Sequence, residues 1–144
     1  MLSNELILFG FLLPVLVLVG VQDWQTGEVS NWITIPLLLM GVIAAMLRVF
    51  FSIDALTGVM LFAMSVCTLA AFKGWMGGAD WKVLIGLFGL YPIAGFAALL
   101  VAGIWGAVLM LATKNRNARF PGVTAFVFAA CLTVLGKVSI ILLN

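Results

Sequence analysis

The chain contains no histidine and only two cysteines among 144 residues. Cys67 and Cys131 each sit in an apolar run, and no C-x-x-C pair exists. The usual ligands of zinc and haem, and the usual general base, are therefore missing. The expectation is no metal, no cofactor, and two cysteines that pack as small hydrophobes. Charge is scarce as well. Seven Lys or Arg and five Asp or Glu make up 8% of the residues, against 65% hydrophobic, and the mean hydropathy is +1.31. Soluble domains run near about 45–50% apolar and 25% charged. A soluble globular protein, a disordered tail and a nucleic-acid binder with a basic face are all excluded. An integral membrane protein with almost no extramembrane mass is what remains, and each of its twelve charges needs a reason to be there.

A helix needs about 20 apolar residues to cross the hydrocarbon core. Charge-free runs occupy Leu6–Val21, Trp32–Leu47, Ala55–Phe72 and Val83–Thr113, and a last run, Val123–Leu143, is broken only by Lys137. The first run has no Lys or Arg ahead of it and no small-x-small site after Val21, so it reads as a span and not as a removable signal. Val83–Thr113 is long for one span and short for two. Tyr91-Pro92 lies inside it, and a proline turns the residue before it away from helix. A turn at Leu90-Tyr91-Pro92 gives six spans and puts Lys73, Lys82, Lys114, Arg116 and Arg119 on one side, with Arg48 and Lys137 towards the other. A single span leaves no bias. Cytoplasmic loops carry the basic excess, so six spans with both termini outside are expected. The fourth helix is short and begins at Gly77-Gly78, where close backbone approach to an extended substrate and positive φ values are anticipated. The whole chain, residues 1–144, reads as one transmembrane domain.

In this topology the segments DWQTGEVSNW (Asp23 to Trp32) and GWMGGADWK (Gly74 to Lys82) share the cytoplasmic face. Asp23 directly follows the first span, and Asp80 opens the fourth helix. A carboxylate held near a bilayer is a functional candidate. Two carboxylates that share a site cannot both ionise comfortably, so one keeps a proton. The ionised one can then take a proton from water while the other polarises a scissile carbonyl, which is hydrolysis without a metal.

Asp23 with Thr26-Gly27, Val29 and Asn31-Trp32 resembles the first-aspartate segment of the prepilin peptidases. Gly77-Gly78-Ala79-Asp80 with Lys82 resembles their second-aspartate motif, G-x-G-D followed by a lysine two residues on. Ala79 stands where that motif usually has its second glycine. The short length is similar to the forms serving tight-adherence (Flp) pili, and the GGAD spelling is similar to archaeal preflagellin peptidases. The resemblance implies an all-α, GxGD-type intramembrane aspartic protease in the bacterial inner membrane. Asp23 and Asp80 would be catalytic. Its partners would be the bilayer and a prepilin, whose basic leader, followed by an apolar helix, is cut at the cytoplasmic face. The four-cysteine domain of the larger enzymes is absent, and their methyltransferase activity is not carried over.

The remaining residues have plainer readings. Thr26 and Asn31 order the first loop, and Ser30-Asn31 suits a helix start. Glu28 is either a solvated charge or an attraction for a basic leader. Lys82 is an anchor, Asp54 a cap to the third span, and Arg48 and Lys137 snorkel. The lysine and two arginines of the loop Thr113 to Gly122 meet anionic headgroups. Trp24, Trp32, Trp75 and Trp81 suit an interfacial belt, and Gly41, Gly58, Gly86, Gly95, Gly103 and Gly106 suit close helix packing. Two other classes remain open: an ion- or proton-coupled transporter relaying through Asp80, and a non-catalytic subunit of a membrane assembly.

Overall fold

The computed structural model describes residues 2–114 and 122–143, and the side chains of residues 10–114, 122–133, 135, 136 and 139. Arg116, Arg119 and the side chains of Glu5 and Lys137 lie outside the described residues. The described chain is helical: α1 (Leu2–Thr26), α2 (Asn31–Phe51), α3 (Ala55–Phe72), α4 (Gly78–Leu90), α5 (Pro92–Thr113) and α6 (Gly122–Leu143). Among the described residues, α2, α3 and α5 are long and apolar enough to cross a membrane. The protein is a multi-pass membrane protein.

The helix ends follow local chemistry. Ser30 caps α2 by accepting from the Trp32 N–H, and Asp54 caps α3 by accepting from the Thr57 N–H at 2.7 Å. The Thr57 hydroxyl adds a bond to the same oxygen, and these two bonds, foremost the hydroxyl, hold the Asp54 carboxyl below its usual value. α3 ends at Gly74 (φ 73°), where the Gly74 and Trp75 N–H groups return to the Ala71 and Ala70 carbonyls. Tyr91, outside the helical region at φ −146° and ψ 89°, separates α4 from α5, which begins at Pro92 as the sequence implies. Phe88 then meets Phe96 edge to face at 5.0 Å, one turn on either side of the break.

The contacts divide the chain into two compact units. One comprises residues 29–96. Its centre is α4, in which every residue from Val83 to Gly89 is buried. A helix apolar on all sides belongs inside a bundle. α2 approaches it through Gly41 and Leu37: a Cβ at Gly86 would come within 2.7 Å of the Leu37 side chain, and one at Gly89 would overlap the Gly41 carbonyl. Small residues let backbones meet at this distance, which helices in lipid need because lipid tails are as apolar as their own side chains. α3 is tied to α4 by the Trp81 indole N–H, which donates to Thr68 Oγ1 at 3.1 Å. Among the described residues nothing stands within 4 Å of a Cβ built at Gly58, Gly103 or Gly106.

The other unit comprises residues 1–28 and 97–144. In α1, Leu12, Leu16, Val19 and Asp23 are buried. Their spacing of four, three and four puts them on one helical face. α6 supplies Val123, Phe126, Val127 and Ala130 from its own buried face, and a Cβ at Gly20 would stand 2.9 Å from the Val127 side chain.

The α2–α4 contact gives a direct test. Gly89→Ala forces the two helices apart and should cost about 1–3 kcal/mol, as overpacking a filled core does. Gly58→Ala meets nothing and should leave thermal unfolding in detergent unchanged. An unshifted midpoint for Gly89→Ala would contradict the packing.

Candidate active site

α1 does not stop before Asp23. It continues to Thr26, because the first residue able to end it is Gly27, whose φ of 65° and N–H bond to the Asp23 carbonyl (2.8 Å) make the αL termination. Asp23 therefore occupies the last turn of a helix, as the fourth member of its buried stripe, and is 8% exposed. Its Oδ2 accepts from the Thr124 N–H at 3.1 Å and lies 3.2 Å from the Thr124 hydroxyl. Thr124 stands in the first turn of α6, where N–H groups lack intrahelical acceptors and the helix dipole favours negative charge.

Thr26 orders the turn that follows. Its hydroxyl lies 2.8 Å from the Gln22 and Glu28 carbonyls, and its oxygen accepts from the Glu28 N–H. Glu28 itself is exposed. Beside Asp23, the residues Trp24, Val101, Trp105, Thr124, Ala125 and Phe128 line a cleft of about 270 Å³.

The second group lies in the other unit and is built on α4. Gly77 is the N-cap, extended at φ −62° and ψ 145°, and Gly78 is already helical. The positive φ expected at Gly77-Gly78 is not there; Gly74 adopts it, at the end of α3. Gly77 is needed for a different reason. The Asp80 carboxylate folds back over it, and a Cβ at Gly77 would stand 2.9 Å from Asp80 Oδ2. Asp80 is half-buried and in the first turn, where a carboxylate complements the helix N-terminus. Ala79 is half-buried beside it. Two residues after Asp80, the Lys82 ammonium donates to Asn31 Oδ1 at 2.6 Å, which joins the start of α2 to α4. Lys73 lies over the Trp75 ring, 5.0 Å from its centre.

Of the residues singled out in the sequence, Asn31 meets Lys82, and Gly77 meets Asp80. Asp23 pairs with Thr124, which sequence reasoning missed. Among the described residues no three acidic or cysteine side chains come together as a metal site would require.

The profile of the type IV leader peptidase family matches residues 10–141. The chain belongs to that family. No curated protein and no solved structure matches it. The matched range takes in both aspartate segments and nearly all of the six helices. A member of this family with long apolar helices is a membrane-embedded protease that acts on a substrate.

For this type IV leader peptidase, the contact over Gly77 predicts the effect of one methyl group. Gly77→Ala pushes the Asp80 carboxylate away from its position, and with Asp80 in the catalytic role proposed below, a misplacement of about 1 Å can cost roughly 10²-fold in rate. Gly78→Ala, with open space for its Cβ, should cost less. Cleavage assays on the purified variants, normalised to folded protein, check the order; equal rates would contradict it.

Proposed function

We propose that this protein is an intramembrane aspartic endopeptidase that removes the leader of a type IV, Flp-like prepilin at the cytoplasmic face of the bacterial inner membrane, with Asp23 and Asp80 as its two catalytic carboxylates. The observation that carries the reading is the burial of Asp23, the charged side chain that lies in the core among the described residues. A buried carboxylate is expensive unless donors meet it, and the Thr124 N–H does so. The family match and the ordered pair of aspartate segments support the same reading.

In the proposed reaction, the ionised carboxylate takes a proton from water as its oxygen attacks the scissile carbonyl carbon. The protonated carboxyl donates to the carbonyl oxygen. Collapse of the tetrahedral intermediate breaks the C–N bond; the departing amine receives the proton gained from water, and one hydroxyl of the intermediate returns its proton to the second carboxylate as the carbonyl re-forms. Asn31 and Lys82 would hold α2 to α4 beneath Asp80, while Gly77, Gly78 and Ala79 would give the backbone room there. Thr26 would shape the turn after Asp23, and Glu28 would attract the basic leader. The topology we propose has six spans with both termini outside and α4 as the short fourth span, forming one GxGD-type domain over residues 1–144. The bilayer and the prepilin are its partners, and no cofactor takes part.

Co-expression with a prepilin tests this. Asp23→Asn and Asp80→Asn should each abolish the mobility shift of processing, a loss of at least about 10²–10⁴ in rate. Processing that survives either substitution would sink the dyad. A pH-gradient-driven flux in proteoliposomes would instead favour the transporter reading.

A further inference from the structure

Thr124 has one hydroxyl proton and two oxygens in reach of it. The Gly20 carbonyl lies 3.1 Å from Thr124 Oγ1, and Asp23 Oδ2 lies 3.2 Å from it. A hydroxyl both donates and accepts. With Asp23 ionised, the Thr124 O–H points to Oδ2, which then takes two bonds, one from the hydroxyl and one from the Thr124 N–H. With a proton on Oδ2, that proton points to Thr124 Oγ1, and the Thr124 O–H turns to Gly20. Both protonation states of the carboxyl are therefore satisfied with no movement larger than rotation of one hydroxyl.

We propose that Thr124 is a positioning residue for Asp23: it anchors Oδ2 through its N–H and serves as a two-way hydroxyl switch that satisfies Oδ2 in either protonation state. This rests on the reading of Asp23 as catalytic. A general acid–base group changes protonation state in every turnover. In a buried setting, a fixed donor would suit one state and leave the other unmet, whereas an amphoteric partner suits both. Thr124 also lines the adjoining cleft, together with Trp24 and Phe128. Gly20 contributes only its backbone carbonyl, so the switch is built from one side chain and the main chain of α1.

Steady-state cleavage of a synthetic prepilin by the purified enzyme in detergent, with thermal unfolding measured on the same samples, tests the proposal. Thr124→Val keeps the shape and the N–H but removes the hydroxyl. Its kcat should fall about 10- to 100-fold, the scale of one hydrogen bond to a charged group, with KM and the unfolding midpoint near those of the parent. Thr124→Ser restores the hydroxyl and should restore most of kcat. Should the valine variant not fold, Thr124→Cys, with a weak donor of similar size, should give an intermediate kcat. A parental kcat in Thr124→Val, alongside an inactive Asp23→Asn, would overturn the switch and leave the catalytic reading of Asp23 standing. Equal loss in Thr124→Val and Thr124→Ser, in step with lost folded protein, would reduce Thr124 to a structural tie. Cleavage by Asp23→Asn would overturn the reading on which the switch depends.

Discussion

A charged group taken out of water must find its partner inside the protein, because burial without one is costly. Asp23 is where that constraint acts most strongly here. Its carboxylate occupies a position that Leu12, Leu16 and Val19 mark as buried, and Thr124 meets it from across 101 residues of sequence. The bond joins the end of α1 to the beginning of α6 and uses an N–H that α6 cannot satisfy internally. One contact thus settles two debts of the fold, an unpaired charge and an unpaired helix end.

The same constraint shapes the unit around α4. Helices in lipid gain nothing from burying apolar surface against one another, so they associate through close packing and polar bonds. Gly41, Gly86 and Gly89 bring the backbones of α2 and α4 together. The Trp81–Thr68 and Lys82–Asn31 bonds then fix α4 to its neighbours near the end that carries Asp80. A helix held so firmly around its first turns keeps a carboxylate at its N-terminus in a defined place, and Gly77 leaves the space into which that carboxylate folds.

Where a local signal decides an outcome, the sequence alone was sufficient. Pro92 ended α4, Ser30 started α2, and Asp54 capped α3, each through its own backbone or side-chain chemistry. The family could be read from the two aspartate segments because their residues lie close together in the chain. A charge after an apolar run looks like a span's end, which suggests a loop at Asp23, yet helix continues until a residue such as Gly27 can leave it. Gly77-Gly78 suggested positive φ, but a glycine pair does not distinguish conformational need from lack of space. Gly89 and Thr124 carried no local signal at all. Their roles come from residues 48 and 101 positions away, Gly41 and Asp23, and only the folded chain brings them together.

The central claim is that Asp23 and Asp80 act on one peptide bond, which requires them to face a common space. Thiol cross-linking tests this most directly. In a chain carrying Cys67→Ala and Cys131→Ala, the pair Asp23→Cys and Asp80→Cys should be joined in membranes by a short bifunctional thiol reagent. The account predicts efficient intramolecular linkage. Ready labelling of each thiol by a monofunctional reagent, with no linkage between them, would contradict it.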